Sequence, residues 1–152
     1  MNETCGEYPY FEHLLAEHRR LNQLIHQTLK ALPEWEVGGL EWPPRLIENL
    51  TAIRQEMARH FREEAQGGCL EEAVAHCPSL STEVLHIEAE HGRLLADIDD
   101  LILKTKRIQQ PTPRDAHALG QELRAVVNAL RAHEAQETRV IERGFSRHMN
   151  DA

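Results

Sequence analysis

One pattern limits what this chain can become. Leu46, Leu50, Ile53, Met57, His60 and Glu64 follow one another in steps of three and four, the spacing that keeps side chains on one face of a helix. An apolar row thus ends in an imidazole and a carboxylate one turn apart on the same seam. Leu119, Leu123, Val126, Leu130, His133 and Glu137 repeat that row 73 residues later. The same shift carries His18 onto His91, Ala16-Glu17 onto Ala89-Glu90, Arg20-Leu21 onto Arg93-Leu94 and Ile25 onto Ile98. The period is too long for a solenoid unit and fits a duplicated helix pair.

Read in order, residues 1–8 form a loose lead-in. A first helix is expected from about Pro9 to Leu32, with Phe11, Leu14, Leu15, Leu21, Leu24, Ile25 and Leu29 as its stripe and His18 within it. Pro33 is expected to stop it. Residues 33–44, with Gly38-Gly39, Trp35 and Trp42, should form a cross-connection whose indoles cover one end. Pro43-Pro44 suits the start of the second helix, and Gly67-Gly68 its end. A short helix from Leu70 to Ala75 precedes a third long one from about Ser79 to Gln109, with Val84, Ile87, His91, Leu94, Leu95, Ile98, Leu101 and Ile102 on its seam. Thr112, Pro113 and Asp115 read as the cap, first position and capping partner of the fourth, which Gly144 should end. No segment reads as a strand. The expectation is an all-α antiparallel four-helix bundle with an internal two-helix repeat. It occupies one domain, 1–152, with its core at about 10–145.

Composition narrows the function. A net charge of −8 disfavours nucleic acid and anionic membranes as partners. No apolar run approaches the roughly 20 residues that span a bilayer. The start, Met-Asn-Glu-Thr-Cys-Gly-Glu, lacks a signal-peptide layout. Three cysteines make no disulfide framework, so a cytoplasmic setting is expected.

The predicted seams bury too much polarity for an ordinary core. His18, His60, His91 and His133 occupy seam positions, as do Glu64 and Glu137, with no Lys or Arg on those seams. A carboxylate in an apolar interior is costly unless paired, protonated or metal-bound. Metal cations with imidazole neighbours supply the missing charge. One helix pair offers His18, His60 and Glu64, and its repeat offers His91, His133 and Glu137. A pseudo-twofold between the halves joins them into a two-metal site, with ions about 3.5–4 Å apart and the glutamates bridging. Imidazole with carboxylate and no thiolate suits iron, with manganese or zinc as lesser alternatives. Six protein ligands leave two six-coordinate irons with open positions for water, hydroxide, dioxygen, nitric oxide or peroxide.

The motif pieces Glu17-His18, His60-x-x-x-Glu64, Glu90-His91-x-x-Leu-Leu and His133-x-x-x-Glu137, in that order and at matched intervals over residues 10–145, resemble the hemerythrin-like family, also called the HHE cation-binding domain. The resemblance implies a four-helix bundle around a non-haem di-iron centre, with Fe2+/Fe3+ ions bridged by oxide or hydroxide. Oxygen-carrying hemerythrins place two histidines four apart on the third helix. Here Leu95 and Ile87 flank His91 at that spacing, which argues against reversible oxygen carriage. The four-His, two-Glu set is closer to the repair-of-iron-centres proteins and to the iron-sensing hemerythrin-like domain of a eukaryotic F-box protein. The former carry an N-terminal cysteine-bearing domain that this chain is expected to lack.

Other polar residues are expected to be ordinary. His13 and His86 should be polar neighbours at a helix flank, and His26, His76, His117 and His148 solvated. Glu17 and Glu90 should face sideways, as surface or interhelix groups. Glu63 and Glu134 should form salt bridges at the surface, with orienting an imidazole as the lesser alternative, and Cys69 and Cys77 should be unremarkable buried thiols. Three functions compete. The first is a di-iron protein that binds or senses dioxygen, nitric oxide or iron/redox status. The second is a di-iron enzyme reducing peroxide or nitric oxide, or repairing iron centres. The third is a zinc-stabilised helical interaction module. Whether the chain is an enzyme, and its oligomeric state, stay open at this point.

Overall fold

The computed structural model describes the backbone of residues 8–37, 41–67 and 69–151, and side chains over 12–37, 41–66 and 69–145. Among the described residues five α-helices follow one another: α1 (Tyr8–Val37), α2 (Trp42–Gly67), the short α3 (Cys69–His76), α4 (Ser81–Lys106) and α5 (Pro113–Asp151). A single 3-10 turn, Pro78–Leu80, leads into α4. No strand occurs among the described residues, and no helix there is long and apolar enough to cross a membrane.

Local chemistry explains most boundaries. Pro43 and Pro44 sit in the first turn of α2, where a missing N–H costs nothing. Thr112 and Asp115 cap α5 reciprocally. The Asp115 amide donates to Thr112 Oγ1 at 3.1 Å, and the Thr112 amide donates to Asp115 Oδ2 at 3.0 Å. Lys104 and Lys106 lie in the last turn of α4, where a cation meets the negative end of the helix dipole. That helix stops at Lys106, three residues before the expected Gln109.

Two expected stops are passed. Helix α1 runs through Pro33 to Val37. An interior proline costs about 3 kcal/mol. The added turn buries Trp35 to 8% exposure beside Leu32, and an indole of 150–250 Å² at about 25 cal/mol per Å² returns roughly 4 kcal/mol or more. Glu36 in that turn also meets His117 of α5 at 3.2 Å. Trp35 and Trp42 are thus buried ends of α1 and α2 within the core cluster, and the expected connection shrinks to a few residues. Gly38-Gly39 and Gly68 lie outside the described residues, as do residues 1–7 with Cys5. Gly144, expected to end α5, lies inside it. A Cβ there would stand 2.7 Å from Ala73 Cβ and 2.8 Å from Ala73 Cα, so the glycine lets α3 lie against α5.

Helix α1 packs on α2 and α5, α4 packs on α2 and α5, and α3 covers α5. Cross-helix pairs give the directions. His13 meets Glu63 while Glu17 meets Arg59, so α1 and α2 run oppositely. The same opposition holds for α2 and α4 (Arg54–Asp99, Glu64–His91) and for α4 and α5 (Glu83–Arg143, Lys104–Glu122). The expected seam of α2 is buried throughout. On the others Leu15, Leu24 and Leu29 of α1, His91, Leu95 and Ile102 of α4 and Val126 of α5 are half-buried, Val127 taking the buried place expected of Val126, and the Phe11 side chain lies outside the described residues. Apolar side chains form two clusters. The larger holds Leu21, Ile25, Leu46, Leu50, Ile53, Met57, Leu94, Ile98, Leu123 and Leu130. The smaller holds Leu14, Leu70, Ala73, Leu80, Val84, Ile87, Val140, Ile141 and Phe145.

Candidate metal centre

Polar side chains fill the boundary between the two clusters. On α1, His18 falls between Leu14 of the smaller cluster and Leu21 of the larger. On α4, His91 falls between Ile87 and Leu94, and on α5 His133 and Glu137 fall between Leu130 and Val140. His60 and Glu64 follow Met57 on α2. Helical period alone sets these positions: each histidine lies one turn past an apolar anchor worth about 1.5–3 kcal/mol when buried, and each glutamate one turn past a histidine.

The six side chains converge as two overlapping groups, each with its ligand-type atoms within 4.8 Å of one another. One is His18, His60, Glu64 and Glu137, and the other is Glu64, His91, His133 and Glu137. Both carboxylates belong to both groups. Glu64 turns Oε1 to His60 Nε2 at 2.5 Å and Oε2 to His91 Nε2 at 3.1 Å. Glu137 turns Oε1 to His18 and His60 at 3.3 and 3.2 Å, and Oε2 to His133 at 3.0 Å.

These short approaches are poorly satisfied as hydrogen bonds. Both Glu64 oxygens, Glu137 Oε2, His91 Nε2 and His133 Nε2 are buried without a hydrogen-bond partner. Such groups are costly. Lone pairs that crowd together without donors aligned between them suit cations placed among them, so the residues present fit bound metal ions.

Protonation tells the same story. Burial lowers the His60 pKa, but the Glu137 and Glu64 carboxylates close to its Nε2 outweigh it and push the imidazole up to about 11. Burial likewise opposes the His133 proton, and Glu137 holds it in place, so that pKa is raised. Burial pushes the Glu64 carboxyl up against the pull of His60 and His91. Glu137 is buried most deeply, yet its hydrogen bonds from His133, His18 and His60 hold it well below the usual carboxylate range. Without a metal, protons therefore occupy positions that cations would fill.

Around the six stand three further carboxylates: Glu17 and Glu90 take the interhelix positions open to them, and Glu134 departs from the surface place expected of it. Glu17 is buried and accepts the Nδ1–H of His60 at 2.6 Å. Glu90 is buried beside His133, with Nδ1 at 3.9 Å. Glu134, expected at the surface, is buried 3.5 Å from His18 Nδ1. A glutamate flanking the seam has the length to reach the neighbouring helix. The signal was in the chain: Glu17 and Glu90 are themselves related by the 73-residue shift.

The other polar residues divide. His13 and His86 are exposed flank residues that reach Glu17 and Glu90 at 3.2 Å each, and Glu63 pairs with Arg59 and His13. His26 and His117 are exposed. His76 is half-buried, edge-on to Phe145, because α3 folds onto α5. The His148 side chain lies outside the described residues. Cys77 is buried with its Sγ 3.3 Å from Ser79 Oγ, whereas Cys69, expected as a thiol, is disulfide-bonded. A cavity of about 380 Å³ lined by Glu64, Ala65, Leu70, Glu71, Glu88 and His91 reaches the centre from outside.

A family model described as the Hemerythrin HHE cation binding domain matches residues 10–143. No curated protein and no solved structure matches the chain.

Proposed function

This chain belongs to the hemerythrin HHE cation-binding domain family, and on that premise we propose that it is a non-haem di-iron protein that binds or senses dioxygen, nitric oxide or iron/redox status. Its ligands are His18, His60, Glu64, His91, His133 and Glu137, held by a single antiparallel four-helix domain in which one helix pair duplicates the other. The carrying observation is the set of unmatched buried oxygens and nitrogens shared by two overlapping groups. Imidazole and carboxylate without thiolate favour iron over zinc. Iron in such a centre supplies one-electron changes of oxidation state and open positions for a small ligand.

The chain's own residues do the rest. Glu64 and Glu137 each face one imidazole set with one oxygen and the second set with the other, so each ties the two positions together. The Glu17 carboxylate fixes the Nδ1–H tautomer of His60 and leaves Nε2 facing inward. Aliphatic clusters on both sides keep bulk water from the buried carboxylates. The cavity at Glu64 and His91 gives a diatomic molecule or peroxide a way in. That same access favours the enzyme as second reading, and repeated consumption of hydrogen peroxide by the reduced protein would support it. Metal analysis after anaerobic purification tests the first claim. Wild type should carry iron, while His60→Ala and Glu64→Ala should lose it and melt at lower temperature. Unchanged iron in both variants would refute the ligand set.

A further inference from the structure

The two halves of the centre are not alike. On one side both imidazoles are backed by buried carboxylates: His60 donates to Glu17 at 2.6 Å, and His18 Nδ1 lies 3.5 Å from Glu134. On the other side Glu90 stands 3.9 Å from His133, beyond hydrogen-bond reach. His91 has a phenyl ring instead: Phe61 stacks on it at 4.1 Å, 6° from parallel. Phe61 occupies the place that Glu134 takes under the 73-residue shift, so the repeat exchanges a carboxylate for an apolar ring. His91 is also the most open of the six, its side chain 14% exposed against 9% for His18 and less for the others.

The cavity lies on this weaker side. Its walls carry His91 and Glu64 together with two exposed carboxylates, Glu71 at the start of α3 and Glu88 on α4. Neither makes an ion pair among the described residues. His18, His60 and His133 do not line it.

Resting on the di-iron reading above, we infer that the two cation positions have different roles. The His18–His60 position holds its ion permanently. The His91–His133 position is exchangeable, filled and emptied by a divalent cation through the cavity between α2, α3 and α4, with Glu71 and Glu88 as the collecting mouth. A carboxylate behind an imidazole ligand strengthens metal binding about 10–100-fold, and only one position has two close ones. Exposed carboxylates at a cleft raise the local cation concentration and the association rate about tenfold or more, an effect that salt screens.

The experiment uses the full chain, loaded anaerobically with two ferrous ions and then mixed with excess ferrous chelator. Release should be biphasic, one ion per chain leaving at least about tenfold faster than the other. The paired variant E71Q/E88Q, checked for helicity by circular dichroism, should refill the fast position about tenfold more slowly at low salt. That difference should vanish at high salt, and the slow phase should be unchanged. Release of both ions in one phase would overturn the inequivalence. Refilling of E71Q/E88Q at the wild-type rate would overturn the route. A wild-type chain that binds fewer than two ions would overturn the reading of the centre, and this inference with it.

Discussion

Replacing Glu17 with alanine should damage the centre far more than the same change at Glu90, although the repeat equates the two residues. Glu17 is 5% exposed and accepts from His60 Nδ1 at 2.6 Å, with Arg59 Nη1 at 3.0 Å. Arg59 is partly exposed and can turn to Glu56 or Glu63, so that ion pair adds only tenths of a kcal/mol. The imidazole has no such outlet. A buried Nδ1–H left without an acceptor costs about 1–3 kcal/mol, and losing the carboxylate behind a ligand weakens metal binding about 10–100-fold. Glu90 sits 3.9 Å from His133, and its nearer partner, His86, is exposed. Its removal should weaken binding by no more than about threefold. The assay is anaerobic ferrous titration against a competing chelator, with urea unfolding of the metal-free proteins alongside. Glu17→Gln should recover most of the loss, because its amide oxygen still accepts from Nδ1–H. If Glu17→Ala bound iron within about twofold of wild type, or Glu90→Ala were equally harmful, the orienting role drawn from these distances would be wrong.

Further outcomes follow from the same geometry. Gly144→Ala should destabilise the fold in urea unfolding by a net of up to about 2 kcal/mol, since overpacking of about 1–3 kcal/mol, toward its upper end at 2.7 Å from Ala73, offsets the helix-propensity gain of about 1; a higher midpoint would contradict the close α3–α5 approach. Metal-free and iron-loaded protein should respond oppositely to pH between 6 and 8, as read by thermal melting. The raised pKa values of His60, His133 and Glu64 stabilise the metal-free fold at low pH; that contribution is lost as pH rises from 6.5 toward about 11 for His60, above 6.5 for His133 and above 4.5 for Glu64. The depressed pKa of Glu137 acts the other way, stabilising above about 4.5 and lost in acid. Metal-free stability should therefore peak in weak acid and fall with pH, by up to about 1.4 kcal/mol per unit for each proton. Loaded protein should gain over the same range, because cations no longer compete with those protons. Thr112→Ala should cost about 1 kcal/mol through loss of the α5 cap.

The sequence exposed the seams of α2 and α5 because a strict step of three and four leaves one way to orient a helix. It exposed the convergence of the six polar side chains for the same reason: each continues an aliphatic row. What it hid depended on tertiary contact. Pro33 carries the same local signal whether it ends a helix or is overridden, and the burial of Trp35 decides. Gly144 reads equally as a helix end or as a close approach, and Ala73 decides. Glu134 was misplaced, and Glu17 and Glu90 were left between surface and interhelix positions, because direction from the helix axis says nothing of how far a glutamate reaches. The opposite faces of His91 and His18, one stacked by Phe61 and one beside Glu134, were visible as letters. They acquired meaning only once both rings had neighbours.

The most direct test of the central claim is the number of ferrous ions that metal-free protein takes up, measured anaerobically for wild type and for Glu137→Leu. Glu137 is fully buried and belongs to both ligand groups. Wild type should bind two ions per chain, and the variant should lose tight binding at both positions together. Two tightly bound ions in Glu137→Leu, or none in wild type, would contradict a paired centre bridged by that carboxylate.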